Sequence, residues 1–294
     1  MSTSQSTSQA TGPLIDLIDT ARYPLADPGG PALAAVVART RRDLAATGCS
    51  VLPGFVPAGR HGDLRREGAG LAPLAHYDVE TVNAYNIPLD ADLPEGHPGR
   101  IRIRRGNAFV ARDRIPPETI IARLYSSAEF QRFVAACFGL AEVHELADPL
   151  SGLCLNVVNP GMEHPWHFDT NEFTVSMLTQ ESAEGGAFEY CPNIRSAEAE
   201  NLRDVRDVLE GRGDRLVRRL ALRPGDLQLF KGRYSLHRVS TVRGGTARHS
   251  AIFAYSARPG VVGSVARTRQ LFGRVLPAHL AAEGNAVRGD RLLD

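Results

Sequence analysis

Three residues of metal-binding type stand in a spacing that could hold one ion. His167 and Asp169 are separated by a single residue. In an extended segment, residues i and i+2 point to the same face, so both side chains can reach one metal from one side. A third ligand, His237, follows the apolar run 226–230. Two imidazoles and one carboxylate on one face of an octahedron leave three positions open, an arrangement that iron(II) oxygenases use.

A cation lies further along the chain in a place where it could serve such a site. Arg248 enters the next predicted strand, two residues before Ser250. 2-Oxoglutarate chelates iron through its 1-carboxylate and 2-keto oxygen, and its distal 5-carboxylate then needs a buried cation. The planar guanidinium of arginine pairs with a carboxylate in bidentate fashion, and Ser250 on the same strand face adds a hydroxyl donor. Each element is weak alone, but the joint pattern predicts an iron(II) site that uses 2-oxoglutarate.

Short strands must position these residues. From residue 153 onward, short apolar or alternating runs are separated by turn signals, a pattern typical of a sandwich or jelly roll. The predicted strands cover residues 153–158, 173–178, 186–190, 216–222, 226–230 and 250–256. A helical insert is predicted over about 197–211 and a last helix over 265–276.

The N-terminal half has a more helical pattern. Helices are predicted over 31–47, 60–74, 117–125 and 128–138, with a strand at 49–56 and an edge strand at 101–104 inside a long loop region. We therefore predict a polar, disordered tail over 1–12 and a single domain over 13–294. Within that domain, 13–150 is a helical part, 151–260 is the jelly-roll core, and 261–294 is a C-terminal helix and tail.

Composition narrows the function classes. The 294 residues include 34 Lys and Arg against 33 Asp and Glu, for a formal net charge of +1. This balance gives no indication of a nucleic acid or an anionic membrane as partner. The four cysteines have no C-x-x-C spacing, which disfavours a zinc knuckle and fits reduced thiols. No apolar run reaches the length of a membrane span, and the polar N-terminus lacks the apolar region of a signal peptide, so we expect a cytoplasmic protein.

The stretch 156–260 resembles the Fe(II)/2-oxoglutarate-dependent oxygenases. Within them it is similar to the subgroup that contains free amino-acid hydroxylases and lysine-type radical halogenases. The resemblance rests on four motifs, namely His-Pro-Trp-His-Phe-Asp-Thr-Asn-Glu-Phe at 164–173, Gly-Gly-Ala-Phe-Glu-Tyr at 185–190, Pro-Gly-Asp-Leu-Gln-Leu-Phe-Lys-Gly-Arg at 224–233 and Ser-Leu-His-Arg-Val at 235–239. It implies a mostly β fold with flanking helices around a double-stranded β-helix, a jelly roll of the cupin-like kind. It also implies that His167, Asp169 and His237 bind the iron and that Arg248 anchors 2-oxoglutarate.

One position separates the reactions of this subgroup. The halogenases that the chain resembles have Gly or Ala where the hydroxylases have the carboxylate, and chloride takes the vacated iron position. Here the residue is Asp169. The resemblance therefore implies a hydroxylase with succinate and CO₂ as coproducts, and ascorbate as the reductant in vitro. Desaturation or cyclisation at the same site stays open.

The substrate residues are harder to predict. In the resembling enzymes an upstream arginine holds the substrate carboxylate, and we assign this role to Arg104, although Arg102 or Arg105 could equally hold it. His164, three residues before the first iron ligand, and Thr170 are the other candidates. The run 251–254 is apolar where lysine-specific relatives carry polar residues, which disfavours lysine. A free amino acid or a derivative is expected, in the biosynthesis of a specialised metabolite such as an antibiotic.

Other interpretations compete with this one. The barrel could belong to a non-catalytic, cupin-like binding protein, or three ligands of this kind could hold a hydrolytic zinc ion, which would leave Arg248 unexplained. Nucleic-acid demethylation is disfavoured by the near-neutral charge. The expected partners are a small-molecule substrate and O₂, with no nucleic acid and no membrane, and a homodimer is possible. His249 should face away from the site, and His279 is expected at the surface.

Overall fold

The computed structural model describes residues 14–171, 173–284 and 292–293. The tail predicted over 1–12 lies outside the described residues, as does part of the C-terminal segment predicted over 261–294. The helices are α1 (Pro31–Thr47), α2 (His61–Leu71), α3 (Ile120–Tyr125), α4 (Ala128–Phe138), α5 (Leu202–Leu209), α6 (Val265–Phe272) and α7 (Pro277–Ala281).

The strands are short and mostly fall in the second half of the chain. They are β1 (Cys49–Leu52), β2 (His76–Val82), β3 (Ile103–Val110), β4 (His144–Glu145), β5 (Leu153–Val158), β6 (His164–His167), β7 (Thr174–Gln180), β8 (Glu184–Gly185), β9 (Phe188–Tyr190), β10 (Arg218–Leu220), β11 (Leu227–Phe230), β12 (His237–Val239), β13 (Val242–Arg243), β14 (Arg248–Phe253) and β15 (Tyr255–Ser256).

Two antiparallel sheets form the jelly roll. The larger has seven strands in the order β1-β11-β7-β14-β5-β3-β2, and the smaller has four in the order β10-β9-β12-β6. Two further pairs, β13-β8 and β15-β4, complete the pairing of the described strands. Mostly β structure with flanking helices around a jelly-roll core was predicted, and the structure confirms it.

Strand alternation gives the large sheet two different faces. On β14, Ala251 and Phe253 belong to the main hydrophobic core, whereas Arg248, Ser250 and Ile252 face the interior cavity between the sheets. The same alternation holds on β5, β7 and β11, because successive side chains of a strand point to opposite faces. One face of the sheet is thus apolar and covered, and the other carries polar groups to the cavity.

The helices α1, α2 and α4 cover the apolar face. Pro31 occupies the first turn of α1, and the helix ends at Gly48, whose φ of +69° is the left-handed conformation that glycine adopts without strain. Phe130 and Phe133 of α4 pack with Phe55 in the core that the large sheet shares with these helices. The helices therefore pack against the apolar face of the large sheet, and the opposite face borders the cavity.

The N-terminal part is less purely helical than predicted. Three of its strands, β1, β2 and β3, belong to the seven-stranded sheet. The edge strand predicted at 101–104 is instead β3 at Ile103–Val110, which pairs with β5 on one side and β2 on the other, so β2 is the edge. The prediction failed because residues 77–114 were assigned to a long loop region, although Tyr77 and Val79 of β2 alternate with Asp78 and Glu80 as in a strand. In the described part of the chain no helix combines the length and apolar character needed to span a membrane.

Candidate active site

The pairing of β6 with β12 brings the two predicted histidine ligands face to face. His167 is the last residue of β6, and His237, the first residue of β12, is its direct partner across the sheet. Asp169 follows two residues after His167, and its Oδ1 lies 3.6 Å from His167 Nε2 and 3.4 Å from His237 Nε2. One ligand atom of each residue lies within 4.8 Å of the others, so a single metal ion fits among them.

Backbone carbonyls fix the orientation of both imidazoles. His167 Nδ1 lies 2.7 Å from the carbonyl oxygen of Pro165, and His237 Nδ1 lies 2.9 Å from that of Ser235. A carbonyl can only accept a hydrogen bond, so each Nδ1 carries the proton and each Nε2 keeps a free lone pair. Partners of this kind orient metal-binding histidines and set their tautomer.

The carboxylate of Asp169 is held in place from the other side. Thr174 Oγ1 donates a 2.6 Å hydrogen bond to Oδ2, which leaves Oδ1 facing the two histidines. Gly232 packs directly against this carboxylate, and its carbonyl accepts a 3.1 Å hydrogen bond from the Asp169 backbone N–H.

The protonation states suit metal binding. Burial acts to raise the pKa of Asp169, but His237, His167 and the Thr174 hydrogen bond outweigh it and hold that pKa well below its usual range. Burial, with His164 and His237 nearby, holds the pKa of His167 well below the usual histidine value. An ionised carboxylate and neutral imidazole are the forms that bind metals. Two nitrogens and one oxygen on one side of a site fit iron(II).

Arg248 is buried on the cavity face of β14, with 5% of its surface exposed. Its guanidinium donates to Ser250 Oγ and makes no ion pair with a carboxylate of the described residues. Burial lowers the pKa of Arg248 to about 10. A buried cation without a counter-charge is costly, which suits a site that takes up an anion.

The cavity between the sheets has a volume of about 860 Å³ and contains the predicted iron ligands and Arg248. Its large-sheet wall includes Asn156, Ser176 and Gln228, and its small-sheet wall includes Phe188. This size lies in the range of roughly 300–1,000 Å³ that is typical of small-molecule sites.

A family model described as halogenase D matches residues 102–269, more than half of the chain. The chain belongs to this halogenase D family. Its matched region includes every candidate iron ligand and Arg248. The sequence matches no curated protein.

Solved structures show that this halogenase D family member shares the fold of 2-oxoglutarate-dependent oxygenases. A 2OG-Fe(II) oxygenase-family oxidoreductase from Burkholderia pseudomallei is 18% identical with a TM-score of 0.50, over 76% of this chain and 92% of that one. The non-heme alpha ketoglutarate dependent carbocyclase SnoK from nogalamycin biosynthesis is 14% identical with a TM-score of 0.51, over 84% and 96% of the two chains. A prolyl hydroxylase from Trichoplax adhaerens is 13% identical with a TM-score of 0.50, over 78% and 94%.

Of the three predicted substrate residues, two line the cavity and one does not. His164 and Thr170 line the cavity of this halogenase D family member, and the ring of His164 stacks on that of His167 with centroids 4.0 Å apart. Burial, reinforced by Arg105 and His237, holds the pKa of His164 well below the usual histidine value.

Arg104, by contrast, is exposed and does not line the cavity. The physical reason is strand alternation, because Arg104 and Arg105 are neighbours on β3 and point to opposite faces. Arg105 is the buried one, and it forms a 2.7 Å ion pair with Glu80, which lines the cavity. Of the three arginines that the sequence left open for this role, Arg102 and Arg104 are therefore exposed, and Arg105 is buried.

Asn86 and Arg267 are among the cavity residues that sequence reasoning missed. Asn86 has a left-handed backbone with φ of +56°, which asparagine tolerates better than most residues. Its Nδ2 donates a 2.9 Å hydrogen bond to the carbonyl of Phe168, the residue between His167 and Asp169. The only available signal for Arg267 was an arginine in an amphipathic helix, which is common on surfaces.

Proposed function

We propose that this member of the halogenase D family is a non-haem Fe(II)- and 2-oxoglutarate-dependent dioxygenase that hydroxylates an unactivated C–H bond of a small substrate. A free amino acid or a derivative is the proposed substrate. The observation that carries the proposal is the Asp169 carboxylate, whose Oδ1 faces both histidine Nε2 atoms at 3.4 and 3.6 Å.

The chain's own residues would divide the work at this site. His167, Asp169 and His237 would hold the iron, which with bound 2-oxoglutarate supplies the activation of O₂ and yields succinate and CO₂. Arg248 would bind the distal carboxylate of 2-oxoglutarate, with Ser250 as a second donor. The walls of the cavity would exclude water and hold the substrate beside the metal.

Asp169 also supports hydroxylation over halogenation. A halide would need the coordination position that this carboxylate fills. Thr174 and Gly232 fix the carboxylate from two other segments of the chain, so the position is occupied by a restrained ligand. Oxygen transfer is then the outcome that we propose, with desaturation or ring closure as the outcome that product analysis would distinguish.

Anaerobic visible absorption of the purified protein with Fe(II) and 2-oxoglutarate tests the site. Bidentate chelation at such a centre gives a weak metal-to-ligand charge-transfer band, and we expect that band in the wild type and not in His237→Ala. Arg248→Gln should require much more 2-oxoglutarate to develop it. Freshly reconstituted wild-type protein that shows no band would refute the oxygenase proposal and favour a binding protein.

Product analysis tests the reaction. With O₂, chloride and a panel of amino acids, we expect succinate and a product that is heavier by one oxygen atom. A chlorinated product from the wild type would show that Asp169 does not block halide, and a product that has lost two hydrogens would identify a desaturase or cyclase.

A further inference from the structure

The cavity contains a second arginine that the iron and 2-oxoglutarate sites do not use. Arg267 lies on α6, outside the two sheets, and lines the same cavity as Arg248. Its Nη1 donates a 3.1 Å hydrogen bond to Asn86 Oδ1 and a further one to Gln270 Oε1. Both acceptors are neutral amides, and no carboxylate of the described residues forms an ion pair with Arg267.

No direct ion pair within the described residues neutralises the charge on Arg267, although Asp169 and Glu80 favour that charge from a longer distance. Burial, with Arg105 nearby, lowers the pKa of Arg267 to about 9, so the group is still a cation at neutral pH. A cation kept in a cavity without a counter-ion is costly unless it takes up an anion, and such residues cluster at binding sites. Since Arg248 would be engaged by 2-oxoglutarate, Arg267 remains for an anion of a second molecule.

Hydrogen bonds connect Arg267 to the metal site. Asn86 accepts from Arg267 and donates to the carbonyl of Phe168, the residue between His167 and Asp169. An anion held by Arg267 would therefore sit against the loop that carries the candidate iron ligands. This is the position of a substrate rather than of a molecule bound elsewhere on the surface.

Part of the cavity wall on the side of α6 is aliphatic, where Leu271 packs in the same cluster as Ile252. Arg267 and Leu271 stand four residues apart on one face of α6, and both line the cavity. On the cavity side of β14, Ile252 follows Ser250, and Ala254 lies just beyond the end of the strand. Apolar surface of this kind stabilises an apolar ligand by about 25 cal/mol per Å² removed from water.

We propose that Arg267 binds a carboxylate of the substrate and that the rest of the substrate is an apolar body lying against Ile252, Ala254 and Leu271. The carboxylate is the fitting anion because it matches the planar guanidinium fork. This inference rests on the proposed function, because it takes the cavity to be the active site. It assigns the binding of the substrate carboxylate to Arg267 on α6, in the C-terminal part of the domain, instead of to Arg104 on β3.

Anaerobic isothermal titration calorimetry on the protein loaded with Fe(II) and 2-oxoglutarate tests the proposal. The probes are matched acid and amide pairs: L-leucine and L-leucinamide, L-isoleucine and L-isoleucinamide, L-phenylalanine and L-phenylalaninamide, and 4-methylpentanoate and 4-methylpentanamide. We expect at least one acid to bind the wild type and its amide to bind at least about 10-fold more weakly. Arg267→Gln should weaken binding of that acid by a similar factor and leave the amide unchanged.

Two further variants keep the test decisive. Arg269→Gln changes an exposed arginine on the same helix and should bind the acid as the wild type does. Arg267→Lys keeps the charge without the fork, so it should bind the acid with intermediate affinity, and it replaces Arg267→Gln should that variant not fold. The charge-transfer band of bound 2-oxoglutarate should be the same in all of these variants.

Four results would overturn the inference while the charge-transfer band of the wild type still supports the oxygenase site. They are equal binding of an acid and its amide, wild-type affinity in Arg267→Gln, binding of no acid by the wild type, and loss of the 2-oxoglutarate band in Arg267→Gln, which would assign this arginine to the cosubstrate. Absence of the band from the wild type would instead refute the proposed function itself.

Discussion

Gly232 should be indispensable to the metal site although its side chain is a single hydrogen. A Cβ built on Gly232 would lie 1.9 Å from Asp169 Oδ2, 2.5 Å from Cγ and 2.9 Å from Cβ of the same residue. Real Cβ contacts essentially never fall below 3.0 Å, so something must move by about 1 Å or more. The φ of Gly232 is not in the left-handed region, so the backbone accepts alanine and the contact with Asp169 is the closest obstacle to it.

The magnitude of the effect follows from what moves. The Asp169 carboxylate has to leave the position in which Oδ1 faces both histidines and Oδ2 accepts from Thr174. Disturbing a group that orients a metal ligand typically costs roughly 10- to 100-fold in metal affinity, and we expect Gly232→Ala to fall in that range. Overpacking costs about 1–3 kcal/mol, so the free energy of unfolding of the metal-free protein should fall by that amount.

Competition with a chelator for Fe(II), together with chemical denaturation of the metal-free protein, measures both effects. Gly245→Ala is the matched control, because a Cβ at Gly245 would have no atom within 4 Å and should leave both quantities unchanged. A double-mutant cycle with Asp169→Gly isolates the contact. The three heavy atoms nearest to the new Cβ all belong to the Asp169 side chain, so Gly232→Ala should cost much less stability once that side chain is gone.

The reasoning would be refuted by a Gly232→Ala protein that binds Fe(II) as tightly as the wild type. It would also be refuted by a loss of stability that persists in the Asp169→Gly background, because the strain would then arise elsewhere. A protein that loses stability but keeps full metal affinity would show that the backbone, rather than the carboxylate, absorbs the new methyl group.

Three further predictions concern neighbouring side chains. Thr174→Val removes the hydrogen bond to Asp169 Oδ2 at nearly constant shape, and Fe(II) affinity should fall roughly 10-fold or more in the same chelator assay. Arg248→Gln should raise the KM for 2-oxoglutarate by roughly 30-fold or more, because the loss of a buried charge pair costs about 2 kcal/mol of binding free energy. Its Fe(II) affinity should change little. His249 is 3% exposed, and burial together with Arg248 lowers its pKa to about 4. The unfolded chain takes up a proton here below about pH 6.5 and the folded chain does not, so the free energy of unfolding should fall by about 3 kcal/mol as the pH falls from about 6.5 to 4. His249→Gln should flatten that decline in denaturation curves.

Each of these three predictions has a specific result that would contradict it. Unchanged Fe(II) affinity in Thr174→Val would mean that the histidines alone set the metal site. An unchanged KM for 2-oxoglutarate in Arg248→Gln would remove this residue from the cosubstrate site. A decline in stability between pH 6.5 and 4 that is the same in wild type and His249→Gln would assign it to other groups.

The sequence predicted those parts of the fold that depend on local pattern. The helix over Pro31–Thr47, the helix over Ala128–Phe138 and the strand over Leu153–Val158 have the predicted bounds, because each has a periodic apolar face and a clear turn residue at its end. Strand β6 was not among the predicted strand runs, although the motif of His167 and Asp169 was expected to be extended, since His-Pro-Trp-His has no apolar alternation that gives its bounds. Its strand structure depends on pairing with β12, which lies far along the chain.

His249 and His279 also show what local sequence pattern can and cannot predict. The alternation on β14 correctly predicted that His249 faces away from Arg248, and His249 lies against Gly68 of α2. His279 was expected at the surface, but it is fully buried, with its Nε2 3.2 Å from Asp148 Oδ1. That prediction was wrong because the partner comes from a distant loop that no local pattern connects to α7.

The cavity shows why substrate residues are harder to predict than metal ligands. The three candidate metal ligands stand in motifs whose spacing itself implies the geometry, since His167 and Asp169 share a face and His237 follows a predicted strand. An arginine that binds the substrate needs only to lie on an element that borders the cavity. That element can equally be a strand or a helix. Between Arg104 and Arg267, only three-dimensional packing decides, because one is turned outward by strand alternation and the other is turned inward by the docking of α6 against β3. The identity of the substrate therefore depends on the C-terminal helix, where the chain has no motif, as much as on the jelly roll, where it has several.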